Sequence, residues 1–340
     1  MTSRTEFGHD TKATEVADAF PNQIKDRVVL VTGVSRDGLG GAATLAFARH
    51  SPSLLILVSR TKAKIDAVIE DIKAINPAVT AKAVLVDLSS QAAVRKAAEE
   101  IKALTPRIDL LINNAGMIVL KRSYSAEGIE SQLAANHLGP FLLTNLLRDQ
   151  LFEAAKHSAP GATRVVNVSS EGHRTSPFRF HDYNNEGWPI PAEEAGTTYQ
   201  LPDWAKEPVD GYVGMQAYAQ SKTANILFSV GLNKRLADKG VVSYALHPGA
   251  IFTEMSRGYG NKLNDINQFL SSHNPKPSND EGSSTTLVAA LDPALNEIKN
   301  SKQIYLDDCQ LNNAAEPYAV DPELADKLWE LSEKLVEQAF

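Results

Sequence analysis

The amino-acid sequence predicts an α/β protein, a single doubly wound domain built on a parallel sheet, and two observations carry that prediction. Seven short runs of apolar and β-branched residues alternate with helical stretches between positions 27 and 306, without an internal repeat or a low-complexity linker. This alternation is typical of a parallel sheet covered by helices on both faces. The first run leads straight into a glycine-rich loop and a helix, the order of elements that binds a dinucleotide.

Composition excludes several classes of protein. The 340 residues are 43% hydrophobic and 22% charged, and the net charge of −7 is spread without long like-charge runs, so no nucleic-acid partner is expected. The single cysteine, Cys309, cannot form an intrachain disulfide framework. The eight histidines lack the spacing of a metal site, so we expect no metal.

The sequence carries no recognisable membrane or export signal. No segment reaches the ~18 uninterrupted apolar residues of a membrane-spanning helix, so no membrane span is expected. The polar stretch from Met1 to Phe20 lacks the apolar core of a signal peptide, and we expect a cytoplasmic protein. Residues 1–24 are expected to form an N-terminal arm with a short helix before Pro21, and residues 25–340 the main domain.

The first predicted strand runs from Arg27 to Thr32 and ends in a loop with three glycines. Glycine allows a close approach of the backbone to a pyrophosphate, and the N-terminus of the following helix offers free N–H groups to an anion. A plain strand-to-helix turn is the alternative. The residues of this loop that we expect to bind the cofactor are Gly33, Ser35, Arg36, Gly38, Leu39 and Gly40.

The second predicted strand, Leu54 to Ser59, ends in Arg60. An acidic residue at this point would bind the ribose 2′-hydroxyl of NAD. Arg60 and Arg36 instead offer two cations, which favours the 2′-phosphate of NADP(H), unless both are solvated surface arginines.

The third and fourth predicted strands, residues 82–87 and 108–113, end in further candidate ligand contacts. Open α/β sheets bind ligands at the carboxyl ends of their strands. Asp87 and Leu88 lie at the end of the third strand, and the small and amide residues Asn114-Ala115-Gly116 follow the fourth. A long helical region, residues 123–156, comes next and contains Asn136.

The fifth predicted strand, residues 164–170, ends in two hydroxyl side chains, Ser169 and Ser170. Residues 171–217 then lose periodicity and hold five prolines and seven aromatic residues. Long irregular segments in compact domains are usually functional lids or disordered. Two interpretations stay open for this segment: a lid over a bulky apolar substrate, or a self-packed surface loop.

Tyr218 and Lys222 lie four residues apart in the next predicted helix, residues 217–236, so their side chains share one face. A free tyrosine titrates near ~10, and a neighbouring ammonium group lowers that pKa. The two residues are a candidate proton donor or acceptor for a carbonyl/alcohol couple, or else a surface pair without a joint role.

The remaining chain completes the predicted sheet. The sixth strand, residues 241–246, is followed by His247-Pro248-Gly249, and the seventh spans residues 302–306. Residues 256–285 are polar and rich in glycine, serine and asparagine, so we expect a mobile loop region there. The tail, residues 322–337, is expected to form an amphipathic helix.

Together these motifs resemble the short-chain dehydrogenase/reductase family, which implies a Rossmann-type domain with a seven-stranded parallel sheet and makes residues 171–217 an enlarged substrate-side insertion. Residues 136–144 and 221–228 look like the retinol-dehydrogenase-like branch, including its fungal members. The motifs stand in the family's order along the chain: Thr32-Gly33, Gly38-x-Gly40, Asp87, Asn113 to Gly116, Asn136, Ser170, Tyr218-x-x-x-Lys222 and Pro248-Gly249.

The resemblance implies a role for each matched catalytic side chain. Tyr218 would be the acid/base, and Lys222 would lower its pKa and hold the nicotinamide ribose. Ser170 would hydrogen-bond the substrate oxygen, with Ser169 as the fallback. Asn136 would hold a water that relays protons towards Lys222.

The resemblance also implies contacts to the cofactor. Asp87 would meet the adenine, and Asn114 the adenosine-side ribose region. The loop that starts at Pro248-Gly249 would bring Ile251 and Thr253 to the carboxamide end of the nicotinamide. The glycine loop has one residue more than the common family form, which leaves the placement of Arg36 open.

The sequence therefore predicts an NADP(H)-dependent oxidoreductase of the carbonyl-reductase kind, which interconverts a ketone or aldehyde with an alcohol. Its small-molecule substrate is expected to be bulky and apolar, and a homodimer is compatible with the sequence. Two alternatives remain open. One is a catalytically inactive NADP-binding sensor or scaffold, and the other is an enzyme of redox-neutral chemistry in which NADP is bound but does not react.

Overall fold

The computed structural model describes residues 1–195, 199, 201–300 and 302–340, and places one eight-stranded sheet at the centre of the fold. The strand order is β3-β2-β1-β4-β5-β6-β7-β8. The strands are β1 Val28–Thr32, β2 Leu54–Ser59, β3 Ala81–Leu85, β4 Leu110–Asn113, β5 Thr163–Val168, β6 Val241–Leu246, β7 Tyr305–Asp307 and β8 Gln310–Asn312.

The first seven strands are parallel, as the sequence predicts, and β8 is an addition that it does not predict. β8 runs antiparallel to β7 after a turn through Asp308 and Cys309, which both have positive φ values. The short β8 gives no periodic signal in the sequence, and neither turn residue is a glycine. The predicted seventh strand, residues 302–306, is found as Tyr305–Asp307.

The order of the strands reverses between β1 and β4, because β1 pairs with β2 on one side and with β4 on the other. Open α/β sheets bind ligands in the crevice beyond the carboxyl ends of their strands at such a reversal. β1, β4, β5 and β6 are buried along their whole length, and the polar side chains of β5, Arg164 and Asn167, are buried with hydrogen-bond partners.

Helices cover both faces of the sheet. The central one carries Tyr218 and Lys222, and it is packed against β5, β6 and the C-terminal helix. A π-helical turn, Ala134–Leu138, interrupts the long helical region that the sequence predicts. The helices are α1 Ala13–Ala19, α2 Leu39–Ala48, α3 Lys62–Ile75, α4 Gln91–Leu104, α5 Ser131–Leu133, α6 Gly139–Leu146, α7 Arg148–Lys156, α8 Asp203–Lys206, α9 Gly214–Leu236, α10 Leu263–Ser271, α11 Asn279–Leu291 and α12 Pro322–Leu335.

The segment predicted as an N-terminal arm is packed onto the domain. Its helix α1 forms where the sequence predicts it, and Val16 and Ala17 are fully buried against α11 and α2. The backbone N–H and the hydroxyl of Thr14 donate to the two carboxylate oxygens of Asp280, at 3.0 and 2.9 Å. The arm therefore holds α11 in place.

The expectation of an irregular loop over residues 256–285 is wrong, because the segment contains α10 and the first half of α11. Its small polar residues allow close packing instead of a loop. A Cβ atom at Gly282 would lie 2.4 Å from Ile251, and the Ser283 hydroxyl donates to the backbone oxygen of Leu39 at 2.9 Å. These contacts bring α11 against α2 and the loop after β6.

Candidate active site

A cavity of about 770 Å³ opens at the carboxyl ends of β1, β2, β4, β5 and β6. This is the crevice where the strand order predicts a ligand. The predicted site residues that line it are Gly33, Ser35, Gly38, Leu39, Arg60, Asp87, Leu88, Asn114, Ala115, Gly116, Ser170, Tyr218, Lys222, Pro248, Gly249, Ile251 and Thr253.

The glycine loop fits a dinucleotide pyrophosphate. Gly33 has φ +73°, and a Cβ atom there would lie 2.7 Å from the Cα of Ala115, so the loop packs against β4 as only glycine allows. α2 begins at Leu39, and its N-cap, Gly38, supplies no side-chain hydrogen bond. The first N–H groups of α2 therefore stay available to an anion in the cavity.

Asn114 and Thr32 fix the loop to the sheet. The Asn114 side-chain N–H donates to the backbone oxygen of Thr32 at 2.9 Å. The Thr32 hydroxyl oxygen accepts the backbone N–H groups of Asn114 and Ala115, at 3.1 and 3.0 Å. Through these bonds Asn114 joins the glycine loop to the carboxyl end of β4, the edge of the sheet where the resemblance implies a cofactor contact.

The two predicted cations at the β2 side differ in their surroundings. Arg60 lines the cavity, is exposed, and forms no ion pair with any residue in the described part of the chain. Arg36 does not reach the cavity lining, because its guanidinium donates to the Asp71 carboxylate at 2.7 and 2.8 Å and to the backbone oxygen of Ala67 at 3.0 Å. Arg36 is thus held against α3.

Lys64 is a cation at this side that the sequence reasoning missed. It lines the cavity from the first turn of α3, four residues after Arg60, and it pairs with Glu254 from the segment after β6. No helical spacing from Arg60 signals it, because α3 begins at Lys62. Since Glu254 pairs with Lys64, the charge of Arg60 is the more available of the two to an anion in the cavity.

Tyr218 and Lys222 share one face of α9, as predicted, and both line the cavity. The Lys222 Nζ atom lies 5.6 Å from the centre of the Tyr218 ring and donates to the backbone oxygen of Val168 at 3.0 Å. The expectation of a lowered Tyr218 pKa is wrong for the protein by itself: burial raises the pKa to about 12, and the hydrogen bond with Ser170 opposes this only in part. Burial also lowers the pKa of Lys222 to about 8.

The geometry favours Ser170 over Ser169 beside Tyr218. The Ser169 hydroxyl is committed to the backbone oxygen of Lys222, to which it donates at 2.7 Å. The Ser170 hydroxyl forms a hydrogen bond with the Tyr218 phenol, and its oxygen accepts the backbone N–H of Gly172 at 3.0 Å. Ser170 can therefore hydrogen-bond an oxygen held next to the Tyr218 phenol.

Asn136 and Gly40 lie behind the cavity rather than in its lining. Asn136 sits in the π-helical turn, where its side chain donates to Met117 O at 2.9 Å and to the Ser221 hydroxyl at 3.0 Å. A Cβ at Gly116 would lie 3.2 Å from Lys222 Nζ and 3.8 Å from Asn136 Oδ1. Asn136 is therefore close to Lys222, with its amide N–H bonds directed to the protein.

The insertion over residues 171–217 divides into two parts. Residues up to 195 pack on the protein: the backbone N–H of Arg179 donates to Gln220 Oε1 at 3.2 Å, and Gln220 donates to the Tyr183 oxygen at 2.7 Å. Among its seven aromatic residues, Tyr199 and Trp204 line the cavity. Because Glu171, Gly172 and Thr175 at the start of the insertion line the cavity as well, both parts reach it, and the role of the insertion as a lid stays a prediction.

The substrate side also includes residues that the sequence reasoning placed in a loop. Tyr259, Ile266, Phe269 and Leu270 line the cavity, and the Trp204 ring contacts Tyr259 and Phe269 at centroid distances of 6.2 and 6.5 Å. The helical spacing of Ile266, Phe269 and Leu270 is a signal that could have identified α10.

Two further features are absent from the described part of the chain. No group of three or more His, Cys, Asp or Glu side chains among the described residues could hold a metal ion. None of the helices formed by these residues combines the length and the apolar character needed to cross a membrane.

Comparisons with known proteins identify the family and the fold of this chain. Residues 27–184 match the family model described as short chain dehydrogenase. The oxidoreductase fscI of Fusarium equiseti is 36% identical over 250 residues, which cover 72% of this chain and 94% of the relative. Retinol dehydrogenase 11 of Mus musculus is 32% identical over 311 residues, 91% of this chain and 86% of the relative. Among solved structures, an uncharacterised protein of Mycobacterium paratuberculosis has a TM-score of 0.65 at 26% identity, with 95% of this chain and 98% of that chain covered.

Proposed function

The chain belongs to the short-chain dehydrogenase/reductase family and is retinol-dehydrogenase-like, and on that premise we propose that it is an NADP(H)-dependent oxidoreductase that interconverts a ketone or aldehyde with an alcohol. One observation carries the proposal. Tyr218, Ser170 and Lys222 converge at the β5 side of a cavity whose β2 side holds the glycine loop and Arg60.

Tyr218 and Ser170 have different roles at the carbonyl oxygen of the substrate. Tyr218 donates its phenol proton to the carbonyl oxygen in reduction, and its pKa of about 12 keeps it protonated for this step. Ser170, whose hydroxyl hydrogen-bonds the Tyr218 phenol in the absence of substrate, donates its proton to the same carbonyl oxygen and stabilises the charge that develops there. A bound nicotinamide supplies the hydride to the carbonyl carbon.

Lys222 supports Tyr218 through its charge. With a pKa of about 8, it is largely an ammonium group at neutral pH, and it offers a positive field to the phenolate that proton transfer leaves behind. One of its protons goes to the Val168 oxygen, and two stay available to the nicotinamide ribose. Asn136 lies close enough to Lys222 to belong to a proton path from solvent.

Arg60 supports the choice of NADP(H) over NAD(H). It stands where an acidic residue would bind the 2′-hydroxyl of NAD, and no described residue competes for its guanidinium by an ion pair. Because Asp71 holds Arg36 and Glu254 holds Lys64, we propose Arg60 as the main contact to the 2′-phosphate.

The substrate side supports a bulky, neutral carbonyl compound. The wall beyond Tyr218 is formed by apolar and aromatic side chains from two segments, Tyr199 to Trp204 and Met255 to Leu270. Ligand pockets of this kind bury apolar surface and use few polar groups for orientation.

Cofactor oxidation with a panel of carbonyl compounds tests the proposal. We expect NADPH to be consumed with bulky aryl ketones, and the product to gain two hydrogens in mass. Consumption should fall sharply in Tyr218→Phe and stay unchanged in the control Tyr124→Phe, whose exposed side chain lies outside the cavity. NADPH binding without turnover of any carbonyl would indicate the idle sensor, and a product of unchanged mass would indicate redox-neutral chemistry.

A cytoplasmic location and a homodimer remain predictions. Imaging of a tagged full-length chain checks the first, and light scattering on the purified protein checks the second.

A further inference from the structure

Tyr259 presents an unpaired phenol to the cavity. The residue is only 6% exposed, it belongs to the cavity lining, and its hydroxyl makes no hydrogen bond to any group in the described part of the chain. The Tyr259 hydroxyl oxygen is not sealed inside the protein, so its hydrogen-bonding capacity is open to the cavity and to a ligand held there.

The position of Tyr259 is fixed by tight packing. A Cβ atom at Gly258 would lie 1.9 Å from the backbone oxygen of Ile118, so the chain passes directly against the segment after β4. The Tyr259 ring then contacts Trp204 edge-on and shares an apolar cluster with Tyr218 and Ile118. A phenylalanine would make these ring contacts equally well, so packing gives no reason for the hydroxyl.

The chemistry of the surroundings narrows what the hydroxyl can bind. Tyr259 shares an apolar cluster with Ile118, Ile266 and the Tyr218 ring, and no described side chain takes its hydrogen bond. Burial, together with the nearby Tyr218, raises the pKa of Tyr259 well above its usual value, so Tyr259 stays neutral. A neutral phenol donates one hydrogen bond and accepts others, which suits a hydroxyl or carbonyl oxygen and not a cation.

We propose that Tyr259 is a specificity-determining residue that hydrogen-bonds a second oxygen on the substrate while Tyr218 and Ser170 hold the reacting carbonyl. The substrate class is then a ring ketone, flat enough for the aromatic wall, that carries a further hydroxyl or carbonyl group. This proposal rests on the proposed function, since it concerns the substrate of the same site.

The test compares two kinds of probe in matched variants. The probes are α-tetralone, which has one oxygen, and a set of its ring-hydroxylated derivatives. These derivatives are isomers of one another and carry the second oxygen at different ring positions. The variants are wild type, Tyr259→Phe and the control Tyr124→Phe. We measure kcat/KM with NADPH for each probe, and the affinity of each probe by calorimetry in a Tyr218→Phe background, where turnover is suppressed.

In wild type, at least one hydroxylated isomer should exceed α-tetralone in kcat/KM, and Tyr259→Phe should reduce that advantage by about tenfold, as expected for the loss of one neutral hydrogen bond. The calorimetric affinities should show the same loss, and Tyr124→Phe should preserve the advantage. An advantage that persists in Tyr259→Phe, or no advantage for any isomer in wild type, overturns the proposal.

The two readouts separate this proposal from the function on which it rests. If no ketone is reduced but calorimetry shows tighter, Tyr259-dependent binding of a hydroxylated probe, the result supports the Tyr259 subsite and contradicts the proposed reaction. If ketones are reduced with the same preference in both variants, the reaction stands and the subsite falls.

Discussion

Replacing Tyr218 with phenylalanine removes the proposed acid and little else. The ring keeps its place in the apolar cluster with Ile118 and Ile266, so the variant is expected to fold. A positioned general acid contributes typically 10²–10⁴-fold, and kcat for ketone reduction should fall by roughly that factor. The phenol keeps its proton at neutral pH, because burial raises the pKa of Tyr218 to about 12, so the acid form is the one that meets the substrate oxygen.

Binding and turnover must be measured separately in this variant. NADPH affinity, followed by calorimetry, should change by less than about threefold, because the phenyl ring keeps its place beside Lys222. Single-turnover oxidation of bound NADPH then reports the chemical step. A large loss of kcat with cofactor binding retained identifies Tyr218 as the acid, whereas a parallel loss of both indicates a damaged site.

Near-wild-type turnover in Tyr218→Phe would refute the assignment, and the structure says where to look next. Tyr212 is not available, because its hydroxyl donates to the buried carboxylate of Glu130 at 2.8 Å and accepts from Gln132 at 2.7 Å. Tyr259 faces the cavity with a free hydroxyl. Turnover that survives in Tyr218→Phe and disappears in the double variant with Tyr259→Phe would make Tyr259 the acid.

Three further predictions follow from the contacts. Arg60→Asp should lower the preference for NADPH over NADH, measured as a ratio of kcat/KM, by about 10–100-fold. The reason is the loss of one charge-assisted bond of roughly 1.5–3 kcal/mol. The control Arg36→Ala, at a residue held by Asp71, should change the ratio far less. Trp204→Ala should raise KM for a bulky aryl ketone about tenfold, while Trp188→Ala, at a side chain in the same insertion that is 61% exposed, should leave it unchanged. Asp280→Ala should lower the free energy of unfolding, measured by urea denaturation, by about 1.5–3 kcal/mol, because both Thr14 bonds to the carboxylate are lost; an unchanged midpoint would mean that α1 contributes nothing through this contact.

The cofactor half of the site was predictable because its signals are local. The strand from Val28, the glycine loop and α2 follow one another without interruption in the sequence. The order strand, glycines, helix is itself the signal of a dinucleotide-binding loop. The spacing of Tyr218 and Lys222 likewise needs only one helix to bring the side chains together. Such predictions do not depend on how distant segments pack.

The errors arise where distant segments meet. Arg36, in the glycine loop, was a candidate cofactor contact whose placement the sequence left open, and Asp71 of α3 pairs with its guanidinium. The pKa of Tyr218 was expected to fall because of Lys222, but burial under segments far away in the sequence raises it. α11 looked irregular because its residues are small and polar, and its stability comes from packing on α1 and α2. None of these effects has a local signal.

The wall of the cavity on the substrate side is formed by two segments that contact each other. We therefore expect substrate preference to transfer from a relative only when both segments are replaced together. Trp204 packs on Phe269, and Lys262 pairs with Glu207 at 2.7 Å, so residues 199–207 and 255–273 meet at both their aromatic and their charged side chains. We expect that replacing residues 199–207 alone with the loop of a relative lowers kcat/KM for all ketones, and that replacing both segments together transfers the preference of that relative. Glu207→Gln is the control, because an exposed ion pair contributes only about 0–1 kcal/mol and its loss should leave the preference in place. Full transfer of preference by the first segment alone would show that the wall is not a joint structure.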